Sequence, residues 1–313
     1  MPLFISKDRG KRRMKKNKTM IVAFITPAVI SFCIMFLYPV LRTIFMSFYS
    51  VESVTASKDQ WIAVGLENYL KIWNTGAFKI AMLNILKIWV IGGVIVLSLS
   101  LLFAVILTSG VRFKSFWRAA IYLPNVISAV ALATMWVQFV FQQKYGIING
   151  FFRAIGNEKL ASINWLSSDM KFWAMLIAFC FGSVGYYMLI FLSGIERIPE
   201  EYYEAATIDG ASKMRQFRSI TMPLLKGVFK TNLTFWSINT LMFFVWSKMF
   251  SPLDSEEATI TPVVYMYNTV FGSTGVTNRD AGKGAAVGVT LALIVVIIFF
   301  VINKLIKEEE VEY

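Results

Sequence analysis

Six long stretches of this chain contain no Asp or Glu and very few Lys or Arg. A helix that crosses a hydrocarbon layer of about 30 Å needs about 20 apolar residues, and each stretch is at least that long. Only 16% of the residues are charged, where a soluble protein would have about a quarter. The sequence therefore predicts an all-α membrane protein with six transmembrane helices, at about 20–41, 82–109, 119–141, 172–194, 228–250 and 284–303.

The positive charge of the chain is concentrated on one side of these six helices. The segment 1–19, the loop between helices two and three, the stretch 195–230 and the C-terminal end hold nineteen Lys or Arg, whereas the other three loops hold ten. By the positive-inside rule, both termini are expected in the cytoplasm, with 1–19 as a basic cytoplasmic tail. Because topology accounts for the net charge of +12, no nucleic-acid partner is expected.

The residue types that carry chemistry are scarce. The chain has no histidine, and its two cysteines, Cys33 and Cys180, fall inside predicted spans without neighbouring metal ligands. No Gly-x-x-x-x-Gly-Lys-Ser/Thr loop is present to bind a nucleotide. We therefore expect no catalytic residue, no metal and no bound cofactor. No linker divides the sequence, so residues 1–313 are interpreted as a single transmembrane domain.

The loop 195–225, between predicted helices four and five, has the punctuation of a helix, a turn and a second helix. Pro199 suits a first helical position, Glu200–Glu201 complement the positive helix end, and Gly210 suits a left-handed residue after the helix. Ser212 can cap the second helix. Paired alanines beside an acid would fit a groove in a partner protein. An ordinary amphipathic connector is the alternative interpretation.

The same loop resembles the EAA signature of permease subunits in bacterial ABC importers, and in particular the maltose and glycerol-3-phosphate permease family. The matching residues are Glu204-Ala205-Ala206, Gly210, Ile220 and Pro223, with Met222 where leucine is usual. The resemblance extends over nearly the whole chain and implies the type I importer permease fold. It also implies a coupling helix in the loop, which would contact an ATPase through Pro199, Tyr203, Glu204, Ala205, Ala206, Asp209, Gly210, Ala211, Phe217 and Pro223.

The resemblance further implies a set of partners in the cytoplasmic membrane of a bacterium. These are a second, homologous permease subunit, two copies of a cytoplasmic ATPase that binds ATP and Mg²⁺, and an extracytoplasmic solute-binding protein that delivers a sugar. The chain itself would contact lipid and form half of the translocation path.

Predicted helix five offers a candidate lining for that path, because amide and aromatic residues recur on one helical face. Amides bond sugar hydroxyls, and rings stack on the C–H faces of sugars. The alternative is that these groups simply pack against neighbouring helices. Residues of helices three and four complete the candidate set, which comprises Asn232, Trp236, Asn239, Phe243, Trp246, Tyr186, Tyr187, Ser183 and Gln138.

Two other classes of function compete with the permease. An ion-driven secondary transporter usually has acids inside the membrane, and the predicted spans contain none. A membrane enzyme would need a clustered nucleophile or acid–base group.

The predicted spans also indicate the class of substrate. A phosphorylated substrate would favour a path lined by cations. Because the predicted spans contain very few Lys or Arg, a neutral carbohydrate is expected instead.

Overall fold

The computed structural model describes residues 7–253, 255–273 and 278–306, with side chains from residue 18 onward. Its elements are α1 (Lys7–Phe32), α2 (Tyr38–Met46), β1 (Tyr49–Ser50), β2 (Ile62–Ala63), α3 (Glu67–Asn74), α4 (Gly76–Lys87), α5 (Gly93–Thr108), α6 (Lys114–Val126), α7 (Ala129–Met135), α8 (Ile147–Ala154), α9 (Glu158–Ala161), α10 (Lys171–Ile195), α11 (Glu200–Ile208), α12 (Lys213–Gln216), α13 (Met222–Leu224), α14 (Lys226–Leu241), α15 (Val245–Phe250), α16 (Pro262–Phe271) and α17 (Ala281–Leu305). Turns of π-helix join or extend several of them, at Cys33–Leu37, Ile88–Gly92, Trp136–Val140 and Phe217–Thr221.

Four of the six predicted spans are present as long apolar helices within the described residues. They are Lys18–Met46, Gly76–Thr108, Lys171–Ile195 and Ala281–Leu305. The first continues past its predicted end at 41, because the backbone passes Pro39 in helical conformation after the π-helical turn before it. Hydropathy locates an apolar stretch, whereas backbone hydrogen bonds decide where the helix ends.

The third predicted span, 119–141, is not one straight helix. It consists of α6 and of α7 with its π-helical extension, and the two parts meet at an angle of 96°. Ile127 and Ser128 are extended at the break, and the Ser128 side chain accepts a hydrogen bond from the Ala131 N–H at 3.2 Å. Pro124 therefore lies near the end of α6 rather than in the first turns of a long helix, and Ser128 starts a new helix.

The fifth predicted span, 228–250, is also broken. Helix α14 ends at Leu241 and α15 begins at Val245. Between them, the Phe243 carbonyl accepts a hydrogen bond of 2.6 Å from the Thr261 hydroxyl. Because a side chain from another segment satisfies this backbone group, the helix can end inside apolar surroundings. The prediction of one continuous helix was wrong here.

The core of the bundle forms where α5, α10 and α14 meet. Trp236 is fully buried, and its indole N–H donates to the Trp89 carbonyl at 2.8 Å. A Cβ added at Gly93 would lie 2.7 Å from the Trp236 Nε1, so glycine is required for this contact. Similarly, a Cβ added at Gly185 would lie 2.4 Å from the Ile121 carbonyl oxygen. The absence of a side chain at Gly185 therefore lets α6 lie directly against α10. At these two points, glycine permits close packing of the helices.

The first long helix differs from the others because its apolar side chains face away from the bundle. None of the most apolar window of Lys18–Met46 is buried, and contact with the bundle is made by α2, which packs on α17. A fully apolar exposed helix requires lipid or another membrane-embedded chain around it.

The end of the bundle opposite the loop 195–225 is tied together by polar side chains. In its segment 251–261, Glu256 forms an ion pair with Lys171 at the start of α10, and the Ile260 carbonyl accepts from the Asn84 amide at 3.0 Å. The segment 142–169, which the predicted topology places outside the cell and which we call the outer segment, carries α8 and α9. There Asn149 accepts from the Trp165 indole at 2.8 Å. The first two contacts fix the segment 251–261 against the long helices, and the third stabilises the outer segment internally.

Candidate functional site

The loop 195–225 folds as two helical segments joined by a tight turn. Helix α11 begins at Glu200, and Pro199 precedes it with extended backbone, one position before the place predicted for it. Gly210 follows the helix with φ +76°, and the Ala211 N–H donates to the Ala206 carbonyl at 2.8 Å. This is the left-handed helix ending that the glycine predicts.

Polar contacts hold α11 against the second segment. The Tyr203 hydroxyl lies 2.9 Å from the Thr221 hydroxyl, and the Gln216 amide donates to the Thr207 hydroxyl at 2.9 Å. Gln216 is buried, whereas the rest of α12 is exposed. We call residues 199–223 the knob. Because hydrogen bonds connect its two segments, the knob can move as one rigid body.

The outward side of α11 is apolar and acidic. Tyr203 and Thr207 face the second segment, so the opposite helical face presents Ala205 and Ile208, with Glu204 beside them. Ile208 is 87% exposed. Of the remaining knob residues that the resemblance singled out, Ala206, Ala211 and Phe217 are half-buried, and Asp209, Gly210 and Pro223 are exposed. A narrow surface of this kind suits a groove in a partner protein.

The knob is attached to the bundle at the ends of α10 and α14. Glu196, just after α10, forms an ion pair of 2.7 Å with Lys114 at the start of α6. A Cβ added at Gly194 would lie 2.6 Å from a Val228 methyl group, so α10 and α14 touch next to the knob. A movement of the knob would therefore act on both helices.

A cavity of about 450 Å³ lies between the two broken helices and α10. The break between α6 and α7 forms one side, and the break between α14 and α15 forms another. Its lining comprises Pro124, Asn125, Ile127, Ala129, Leu132, Phe179, Gly182, Ser183, Tyr186, Tyr187, Asn239, Met242, Phe243, Phe244, Val245 and Trp246. None of these residues is Asp, Glu, Lys or Arg, so the cavity is neutral.

The cavity combines aromatic rings with a few polar groups. The Asn239 amide donates to the Tyr187 hydroxyl at 3.1 Å, and the Ser183 hydroxyl bonds the Phe179 carbonyl at 2.8 Å. The Phe179 ring lies 4.8 Å from that of Phe243 and 5.9 Å from that of Trp246, measured between centroids. An aromatic wall with neutral hydrogen-bonding groups is the lining that binds uncharged polar molecules.

The structure brings six of the nine predicted path residues into this cavity, namely Ser183, Tyr186, Tyr187, Asn239, Phe243 and Trp246. The other three lie elsewhere. Trp236 and Asn232 are fully buried, and Gln138 is exposed beyond the end of α7. Trp236 makes the packing contact that the alternative interpretation of the stripe expected.

Sequence reasoning missed the residues that the helix breaks bring to the cavity. Ile127, Ala129, Met242 and Phe244 reach it because the chain leaves the helical path next to them. The cluster of Pro124, Asn125 and Ser128 was the available signal for the first break.

Among the described residues, no group of three or more His, Cys, Asp or Glu side chains comes together to hold a metal ion.

Comparison with known proteins connects these features. Residues 97–307 match the family model "binding-protein-dependent transport system inner membrane component". The arabinooligosaccharides transport system permease protein AraP of Halalkalibacterium halodurans is 31% identical over 285 residues, which cover 90% of this chain and 86% of that protein. The probable starch degradation products transport system permease protein AmyD of Thermoanaerobacterium thermosulfurigenes is 26% identical, over 96% of this chain and 99% of that protein.

A solved structure has the same fold. A chain of the bacterial alginate ABC transporter, in its complex with alginate pentasaccharide-bound periplasmic protein, aligns with a TM-score of 0.79 at 18% identity. The alignment covers 94% of this chain and 96% of that one. At this identity the likeness concerns the fold alone.

Proposed function

Because this chain belongs to the family of binding-protein-dependent transport system inner membrane components and is a permease subunit of a sugar ABC importer, we propose that it forms half of a sugar translocation path driven by a separate ATPase. One observation supports this proposal most strongly. The exposed knob is held together by its own hydrogen bonds, and its two ends continue into α10 and α14, which line a neutral cavity. The chain would span the bacterial cytoplasmic membrane six times, with both termini and the knob in the cytoplasm. The two broken segments, α6–α7 and α14–α15, would each complete one crossing.

A neutral saccharide is the substrate class that the cavity supports. Its aromatic rings can cover the C–H faces of a sugar, and Asn239, Tyr187 and Ser183 can exchange hydrogen bonds with hydroxyl groups. No fixed charge lines the cavity to hold an anionic group. The names of AraP and AmyD, which refer to arabinooligosaccharides and starch degradation products, agree with an oligosaccharide.

Coupling to ATP hydrolysis would occur at the outward face of α11. A groove in a cytoplasmic ATPase would receive Ala205 and Ile208, and Glu204 would pair with a basic group at its edge. Two ATPase copies would bind ATP and Mg²⁺, one below this chain and one below a second, homologous permease subunit. A solute-binding protein would deliver the sugar from outside. This chain would perform no chemistry of its own.

The charge of Glu204 provides the test of coupling. We expect Glu204→Lys to insert normally into the membrane but to lower sugar uptake and the amount of ATPase that copurifies. Glu158→Lys is the matched control, because it reverses the charge of another exposed residue in the outer segment. Equal uptake and equal copurification for the two variants would reject the coupling role.

The cavity is tested separately by two asparagines of α14. Asn239→Ala removes a polar group from the cavity, whereas Asn232→Ala removes the same group from a buried position outside it. We expect the first variant to raise the KM of uptake about tenfold, the effect of losing one or two hydrogen bonds to the sugar. An equal KM for the two variants would place the path elsewhere.

An ion-driven transporter is the second candidate, because two broken helices around a cavity also occur in that class. Against it, no acid lines this cavity to couple a proton or sodium ion. The two candidates differ in their energy source. Uptake by an importer stops when ATP is depleted and continues when an ionophore removes the ion gradient, whereas the reverse result would favour the second candidate.

A further inference from the structure

The short connection between α5 and α6 exposes three aromatic side chains beside one another. Phe113 is 79% exposed, Phe116 64% and Trp117 48%, and the rings of the last two lie 5.4 Å apart. We call residues 112–118 the aromatic elbow. A cluster of large apolar side chains on a surface marks a place where a protein meets a membrane or a partner.

The backbone of the elbow is held in an unfavourable conformation that places its first ring outward. Among the described residues, Phe113 is the only one other than glycine with a positive φ, at +60°. This region is unfavourable for a bulky residue, because its Cβ crowds the following carbonyl oxygen. Its carbonyl accepts from the N–H groups of Phe116 and Trp117, at 3.0 and 3.2 Å, so the strained residue starts α6. Strain that persists on an exposed aromatic residue points to a function for the exposed ring.

The charged residues of the elbow itself are all positive. Residues 109–127 contain no Asp or Glu, and the elbow itself contains Arg112, Lys114 and Arg118. Lys114 is paired with Glu196, whereas the two arginines are exposed and form no ion pair with any described carboxylate. The elbow therefore presents two available guanidinium groups next to three rings. This arrangement is complementary to an anion attached to an apolar body.

The position of the elbow along the bundle identifies the level at which such a partner would lie. The ion pair between Lys114 and Glu196 places the elbow beside the end of α10, one residue after Ile195. About two turns further on, α6 already lies against α10 at Gly185, within the apolar part of the span. The three rings therefore lie where a transmembrane helix enters the headgroup region, the usual depth of aromatic residues.

We propose that the aromatic elbow binds an anionic phospholipid, with its rings among the upper acyl chains and Arg112 and Arg118 on the phosphate. The proposal rests on the proposed function for its topology, which places the elbow at the cytoplasmic leaflet. A cytoplasmic protein is the less suitable partner, because the proposed docking surface for the ATPase is the outward face of α11, where Ile208 is exposed.

The test uses the complete transporter in nanodiscs of phosphatidylcholine with increasing amounts of phosphatidylglycerol, and native mass spectrometry to count retained lipids. We expect the double variant R112Q/R118Q to weaken the apparent affinity for phosphatidylglycerol about 25-fold, or fivefold for each arginine. The double variant K144Q/K159Q, which removes two lysines from the outer segment, is expected to leave this affinity unchanged. Unchanged phosphatidylglycerol binding in R112Q/R118Q would overturn the proposal.

A second variant tests the rings. Phe113→Gly suits the left-handed backbone and removes the side chain, so the variant should fold. It should retain less of both lipids. Full retention would show that the ring does not enter the membrane.

ATPase activity in phosphatidylcholine alone separates this proposal from the coupling role. The arginine variant should keep that activity. Loss of the ATPase from this variant would identify the elbow as a protein-docking surface and would also overturn the lipid proposal.

Discussion

Ile208 offers the sharpest test of the knob, because its side chain is 87% exposed on the outward face of α11, at the C-terminal end of that helix. Burying an isoleucine side chain completely is worth about 1.5 to 3 kcal/mol. Because 87% of the Ile208 side chain is exposed, its burial in a groove of the ATPase would contribute about 1.3 to 2.6 kcal/mol to the free energy of binding. We therefore expect Ile208→Glu to weaken ATPase binding about 10- to 80-fold, and further if the new carboxylate is desolvated.

The assay measures the affinity of the purified ATPase for the permease in detergent, together with sugar uptake in cells. Leu253→Glu is the matched control, because Leu253 is 85% exposed at the opposite end of the bundle. Neither substitution removes a buried contact, so both proteins should melt at the wild-type temperature. If Ile208→Glu binds the ATPase as tightly as Leu253→Glu does, the outward face of α11 is not the docking surface.

Three further substitutions test the backbone arrangements that shape the site. Gly210→Pro removes an N–H and forbids the positive φ, so it should abolish uptake, whereas Gly210→Asn should retain most of it because asparagine tolerates this conformation. Gly185→Ala would bring a methyl group against the Ile121 carbonyl and should lower the melting temperature by several degrees, unlike Gly150→Ala, whose added methyl meets no atom within 4 Å. Thr261→Val leaves the carbonyl at the α14–α15 break without its hydroxyl donor and should cost about 1 to 3 kcal/mol of stability and alter the KM for the sugar.

Each of these three expectations has a distinct contrary result. Uptake by Gly210→Pro at the wild-type rate would show that the knob does not need its left-handed turn. Equal melting temperatures for the two alanine variants would mean that α6 can move away from α10 without cost. A Thr261→Val variant with unchanged stability and KM would show that the break does not depend on this hydrogen bond.

The parts of the fold that were predictable are those set by local chemistry. Gly210 and Ser212 bracket the turn of the knob because a positive φ and a cap each favour one residue type at one position. The break at Phe243 was not predictable in this way, because its carbonyl is satisfied by Thr261, a residue eighteen positions away. Hydropathy of 228–250 gives no indication of that bond.

The consequence for the site can be traced through single residues. The stripe from Asn232 to Trp246 assumes a continuous helix, and α14 ends at Leu241. Trp236, on the intact part, is buried in the core, whereas Asn239, next to the end, reaches the cavity. Phe243 and Trp246 reach it from beyond the break. An interrupted helix brings residues together that would lie on different faces of one continuous helix. The stripe alone therefore could not define the lining of the cavity.

The breaks also determine where a movement of the knob would be absorbed. Close contact between Gly194 and Val228 joins α10 and α14 beside the knob, so a displacement there would shift the two helices together. At the far end, the segment 251–261 resists that shift, because its Glu256 pairs with Lys171 of α10 and its Thr261 bonds Phe243, just after α14. A continuous helix could yield only by losing internal hydrogen bonds, whereas the residues between α14 and α15 have already left the helical pattern. The deformation should therefore concentrate at residues 242–244, and because this break lines the cavity, the cavity should change shape before the core around Trp236 does.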